Sequence, residues 1–210
     1  MIEGEATRPA YRVVTPRLVI RCWKPEDAPL LKAAVDGCTS HLRPWMPWAT
    51  LEPEPLESRI QWLRKCRGEF DFGKDYVYGI FDPAETEVIG GTGLHTRRGP
   101  DAREIGYWIH ERHARKGYAT EVTAALTRVA FEIEKVHRVE IHVAVENFKS
   151  VGVPKKLGYR HEGTLRQRIK DAEGVLHDSM VWTMLASEYP GSVPSSIVIA
   201  AFDIVGRRIL

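Results

Sequence analysis

Residues 104–122, EIGYWIHERHARKGYATEV, constrain the fold more than any other stretch, because a strand pattern gives way there to a helix pattern within a few residues. Residues 103–109 alternate as a strand does. Beyond His110, Val122, Leu126, Val129 and Ile133 recur at four- and three-residue steps, which predicts a long amphipathic helix over 117–135 that begins at Gly117. The first amides of a helix have no internal partner and lie at its positive end, so this junction is suited to an anion such as a pyrophosphate. Gly117 permits close backbone approach, Ala119 keeps the first turn small, and Arg115 and Lys116 add positive charge. The plainer alternative is an ordinary helix cap.

The remaining pattern alternates strands and helices around this junction. A strand is expected over 12–23, entered through the Thr15-Pro16 turn, then helices over 25–35 and 55–70. Strands at 76–81, 87–94 and 103–109, separated by turn-rich DPAET and RRGPDA, suggest an antiparallel meander. A strand at 138–145, a short helix at 149–157 and strands near 159–168 and 177–185 complete an α/β (α+β) core. With 210 residues, 43% of them hydrophobic, one domain over 12–190 is expected, preceded by an N-terminal extension over 1–11. The tail over 191–210 reads as a linker followed by an edge hairpin, or as a homodimer contact.

Composition removes several classes of function. The 30 basic and 28 acidic residues nearly cancel, leaving no field for nucleic acid or an anionic membrane surface. Cys22, Cys38 and Cys66 form no CxxC pair, and a reducing cytoplasm is the expected location. The N-terminus lacks the apolar run of a signal peptide, and no apolar stretch reaches ~18 residues, so a soluble, unexported protein is expected. The run His110-Glu111-Arg112-His113 fails as a zinc motif because Ala114 stands where the second histidine is required. No metal is expected. GGTG at 90–93 lacks the last glycine and the helix of a dinucleotide fingerprint, so close strand packing is the better reading.

A second stretch, VAVENFKSVGVPKKLGYRHEG, carries Asn147, Ser150 and Leu157-Gly158-Tyr159 after a strand. Taken with ARKGYAT, it resembles the two acetyl-CoA motifs of the GNAT superfamily of N-acetyltransferases, (Q/R)xxGx(G/A) and NxxSxxxxxxLGF/Y. TPRLVIR, HLRPWMPW, EIGYWI, KGYATE and DSMVWTML resemble the RimJ/RimL-like (ribosomal-protein alanine acetyltransferase) branch over about residues 12–190. The resemblance implies a central mixed, mostly antiparallel sheet of about seven strands flanked by about four helices, splayed at the acetyl-CoA site. It also implies contacts to acetyl-CoA from Ile109, His110, Arg115, Lys116, Gly117, Tyr118, Ala119, Thr120 and Asn147. Ala114 and Arg115 depart from the pattern, where a polar or aromatic residue and a glycine are usual, so an altered loop geometry is expected. Pro154 stands where many members carry the tyrosine that protonates the departing thiolate, and the branch implies Ser150 instead. A hydroxyl capping its own helix is the alternative for Ser150, and a turn-forming residue the alternative for Asn147.

Attack of an amine on a thioester needs a neutral amine, a donor to the developing oxyanion and a proton for sulfur. Glu104 is the candidate base, on the expectation that partial burial raises its carboxyl towards neutrality; the alternative pairs it with Arg97 or Arg98. His95 and His110 rank behind it. A backbone N–H near Trp108 or Ile109 is the candidate oxyanion donor. His41, Trp45 and Trp48 lie where the branch builds its acceptor pocket, and Tyr107 is placed with them, although two tryptophans covering the core is the simpler reading. Acceptors open at this point are a protein or peptide N-terminus and a small-molecule amine such as an antibiotic or amino acid. A non-catalytic acyl-CoA-binding module is the third possibility.

Overall fold

The computed structural model describes residues 9–210; most of the extension expected over 1–11 lies outside them. The elements are β1 (Arg12–Val14), β2 (Val19–Cys22), α1 (Ala28–Asp36), α2 (Thr39–Leu42), α3 (Leu56–Asp71), β3 (Tyr76–Phe81), β4 (Val88–His95) and β5 (Ala102–Ile109), followed by α4 (Tyr118–Glu132), β6 (Arg138–Ala144), α5 (Phe148–Leu157), β7 (Arg160–Lys170), β8 (Leu176–Leu185), α6 (Val193–Ser196) and β9 (Ala200–Phe202). They form one sheet in the order β7-β8-β6-β5-β4-β3-β2-β1-β9. Among the described residues, only β5 and β6 pair in parallel, and every other strand pair is antiparallel.

The sheet is mixed and mostly antiparallel, as the resemblance implies, with nine strands and six helices among the described residues instead of about seven and about four. Two causes account for the extra strands. Pro16 has no N–H to donate, and Thr15 N–H turns back to the Leu18 carbonyl at 3.0 Å, so the single strand expected over 12–23 breaks into a hairpin of β1 and β2. In the tail, β9 adds to β1, and the chain's last residues fold back over the outer edge of β9 through Ala201 N–H to Leu210 O at 3.1 Å. The apolar strand of the tail thereby finds its partner within the chain.

Alternation along each strand separates two layers. On one face, Leu94, Ile105, Ile141 and Val143 pack under α4 and α5, with Val122, Leu126 and Val129 of α4 fully buried. On the other, Leu31 and Val35 of α1 and Leu63 of α3 cover the sheet, packed with Trp23, which follows β2. The parallel pairing of β5 and β6 covers only Ala102↔Arg138 to Glu104↔Glu140, whereas β5 stays on β4 up to Ile109 and β6 on β8 up to Ala144. Past Glu104 and Glu140 the two strands therefore separate and leave open edges facing each other.

Candidate active site

The loop from β5 to α4 meets this gap. His110 caps a single turn over Glu111–His113, its Nδ1 accepting the Arg112 amide at 3.1 Å. Arg115 then adopts φ 64° and Gly117 φ 83°, two left-handed residues that bend the backbone into a concave run of amides. The N–H of Glu121 is the first to bond within α4, to Gly117 O at 3.0 Å. Among the described residues, the amides of residues 115–120 have no protein acceptor. A pyrophosphate suits such a run. Arg115 occupies a left-handed position that costs a non-glycine residue about 1 kcal/mol, so the arginine accepts the conformation a glycine would adopt freely there.

Sequence reasoning missed what holds this loop. Arg17 of TPRL donates Nη1 to Lys116 O at 3.0 Å, pairs with Glu121 at 2.5 Å and lays its guanidinium over the Tyr118 ring at 4.7 Å. Thr15 Oγ1 donates to Glu121 at 2.6 Å. The visible signal was TPRLVIR itself, whose arginine is followed only much later by the acidic residue it clamps.

On the α5 side of the gap, Asn147 caps α5 by accepting the Ser150 amide at 3.2 Å, which makes it the residue that orients the helix carrying Ser150. The Tyr107 hydroxyl lies 3.0 Å from Ser150 Oγ and 3.2 Å from the Ser150 carbonyl. Pro154 explains that second contact. In a regular helix the amide four residues on would bond the Ser150 carbonyl; proline has no N–H, and the freed carbonyl accepts the tyrosine instead. Burial pushes the Tyr107 phenol up to about 12 against the opposing hydrogen bond from Ser150, so it stays protonated at neutral pH. Tyr159 cannot replace it, since its hydroxyl is buried against Thr127 Oγ1 at 2.6 Å.

Across the sheet lies a cleft of about 990 Å³ lined by Trp45, Trp48, Trp62 and Trp108, by His95, Glu104 and His142, and at the gap by Tyr107, Asn147 and Ser150. Trp48 and Trp108 meet edge to face at 6.2 Å. The GGTG run makes room for two of these rings. A Cβ on Gly91 would sit 2.5 Å from Trp108 Nε1, and one on Gly93 would sit 2.6 Å from His95 Nε2.

The expected raised pKa of Glu104 is corrected by its neighbours. Burial alone would raise its carboxyl, but hydrogen bonding and charge from Arg97, reinforced by Arg98 at 2.5 Å, hold it at about 2. Both oxygens are occupied by guanidinium groups, which disqualifies this carboxylate as a proton acceptor at neutral pH. His142 is equally committed. A guanidinium can only donate, so Nδ1 accepts from Arg98 at 3.2 Å while Nε2 donates to Glu140 at 2.8 Å.

The structure brings Trp45, Trp48, Tyr107, Asn147 and Ser150 to one cleft, but on two sides of the sheet: Tyr107 stands with Ser150, and Trp108 with the other tryptophans. His41 lies in α2 and is not among the lining residues. The His110 ring is buried, its Nε2 3.2 Å from where a Cβ on Gly37 would stand; burial, with Arg112 and His113, lowers its pKa. His110 N–H bonds Ile89 O at 2.8 Å, and ladder alternation then turns the Trp108 amide towards β4 and the Ile109 and Tyr107 amides towards the gap.

Comparison with known proteins gives the context of this geometry. The sequence profile of a family described as "Acetyltransferase (GNAT) domain" matches residues 17–160. YdaF of Bacillus subtilis (strain 168), provisionally named a ribosomal N-acetyltransferase, is 38% identical over 179 residues, covering 85% of this chain and 96% of that protein. The ribosomal protein uS5-alanine N-acetyltransferase of Escherichia coli (strain K12) is 27% identical over 160 residues, or 74% of this chain and 81% of that one. The fold of Mycobacterium smegmatis RimJ, solved in complex with CoA-disulfide, is similar at a TM-score of 0.74 and 24% identity, covering 87% of this chain and 91% of that one.

Proposed function

This chain belongs to the GNAT family of acetyl-CoA-dependent acetyltransferases, and on that premise we propose that it transfers the acetyl group to the α-amino nitrogen of a protein or peptide N-terminus. One observation carries the reading. The unpartnered amides of residues 115–120 open onto the gap between β5 and β6, which has a hydroxyl pair on one side and a large aromatic cleft on the other. The amides receive the pyrophosphate of acetyl-CoA, with Arg115 and Lys116 adding charge at the surface. The open edge of β5 supplies Ile109 or Tyr107 N–H to the carbonyl oxygen as charge develops on it. Ser150 Oγ, backed by the protonated Tyr107 phenol, delivers the proton to the departing sulfur.

A peptide end is favoured over a small amine by the rim of the cleft, where Trp48, Leu51 and Trp62 are exposed and leave room for a chain to run on. The names of the relatives, which refer to ribosomal substrates, agree with this choice. The test is thiol release from acetyl-CoA against peptides beginning with alanine or serine and against small primary amines. Faster release with peptides is expected; release with small amines alone overturns the acceptor assignment, and release with no amine overturns the transfer.

A further inference from the structure

With Glu104 tied to two arginines and His142 using both ring nitrogens, the acceptor side of the cleft has one imidazole with a nitrogen left over. His95 ends β4, and its Nδ1 lies 2.9 and 3.1 Å from the two carboxylate oxygens of Asp75. A carboxylate only accepts, so Nδ1 carries the hydrogen and the lone pair resides on Nε2. Asp75 is well placed to fix this tautomer. Burial would raise its carboxyl, but the hydrogen bond and charge of His95 and the amides of Thr96 and Tyr76 lower it below the ordinary value. Nε2 has no hydrogen-bond partner among the described residues. It lies 2.6 Å from where a Cβ on Gly93 would stand and 3.4 Å from one on Gly106 across the ladder. The two glycines thus clear the surface on which the ring rests, within the cleft and on the same face as Trp108.

We propose that His95, oriented by Asp75, is the catalytic base that takes the proton from the acceptor ammonium. The proposal rests on the acyl-transfer reading above. Nε2 accepts one proton from R-NH3+, giving an imidazolium and the free amine. Nitrogen then attacks the thioester carbon, the C–N bond forms and the C–S bond breaks. The thiolate takes its proton from Ser150 Oγ, and the second hydrogen that nitrogen sheds on becoming an amide passes to solvent, from which Ser150 is reprotonated. The charged groups facing the ring are Asp75, from the approach to β3, and Glu104, its cross-strand partner on β5, and Glu104 is itself paired with Arg97 and Arg98 from the loop after β4. The arrangement of carboxylate, imidazole and open nitrogen is the one general-base sites use to hold a histidine in the reactive tautomer.

The test uses the full chain and whichever amine of the panel the wild type turns over fastest, and compares kcat/KM of wild type, His95→Gln and Asp75→Asn between pH 7 and about 9.5. An α-amine loses its proton to solvent near pH ~8, so a missing base matters below that value and not above it. His95→Gln is expected to lower kcat/KM about 10-fold at pH 7, the factor set by the roughly one-tenth of the amine that is free there, with the deficit closing at high pH and acetyl-CoA affinity unchanged. Asp75→Asn, which alters a positioning residue, is expected to follow the same closing pattern with about a 3-fold deficit. A His95→Gln deficit that is constant across pH marks a structural role and overturns the assignment, as does activity within about 3-fold of wild type at pH 7. Those outcomes leave the acyl-transfer reading standing; a wild type that turns over no amine removes both.

Discussion

At the start of α4, consecutive backbone amides present the proposed binding surface for acetyl-CoA, and the side chains around them, Arg17, Thr15 and Glu121, hold the loop in shape. On the acceptor face the relation is reversed. β4 and β5 are paired with each other in the ladder as far as Ile109, and away from the gap the cleft is faced by side chains: Trp45, Trp48, Trp108, His95 and the Glu104 network. A site made of amides tolerates many sequences provided the backbone can bend. One made of side chains depends on each neighbour that fixes a rotamer or a charge state.

The two halves should therefore fail differently. Gly117→Glu introduces a side chain at a left-handed position and a negative charge at a helix N-terminus. These effects together amount to about 2–3 kcal/mol, so acetyl-CoA affinity measured calorimetrically should fall roughly 100-fold. A change in acceptor KM with unaltered acetyl-CoA affinity would break the comparison. Next comes Glu104. Its folded-state pKa lies below the ordinary 4.5, so its stabilisation is fully present above about pH 4.5 and is lost as pH falls towards about 2. Glu104→Gln should cost about 2 kcal/mol in denaturant unfolding at pH 7 and nearly nothing near pH 2. A variant whose stability matched wild type at pH 7 would remove Glu104 from the side-chain scaffold.

Smaller effects sharpen the division. Ser150→Ala should lower kcat about 10-fold while acetyl-CoA affinity stays within 2-fold, because the hydroxyl acts on sulfur and not on the pyrophosphate. Arg17→Gln should weaken acetyl-CoA binding only about 3-fold, since its ion pair is half exposed and the amides themselves remain. A larger loss would mean that the arginine contacts the donor directly.

The same contrast explains how much could be read from the chain. The strand-to-helix switch at Gly117 and the 3.6-residue periodicity of Val122, Leu126 and Val129 are local signals, and the structure places α4 within a few residues of expectation. The donor loop could be recognised because its chemistry is backbone conformation encoded over six or seven adjacent residues. The state of Glu104 could not, because Arg97 and Arg98 reach it only after the β4 to β5 turn closes, and periodicity does not say whether burial or ion pairing prevails. His95 ranked behind Glu104 for the same reason: Asp75 lies one strand away, and the ring's resting place is created by Gly93 and Gly106 on two strands. Pro154 read as the loss of a tyrosine. What the sequence concealed was that the missing amide would release the Ser150 carbonyl to Tyr107 and bring a second hydroxyl to the gap.

The most direct test of N-acetyl transfer is intact-mass analysis of an alanine-initiated peptide after incubation with acetyl-CoA and the protein, with fragmentation to locate any added group. The account predicts one acetyl group on the α-amino nitrogen, formed in step with free CoA. An unmodified peptide beside intact acetyl-CoA, or an acetyl group found on a side-chain oxygen or sulfur instead of the amine, would contradict it.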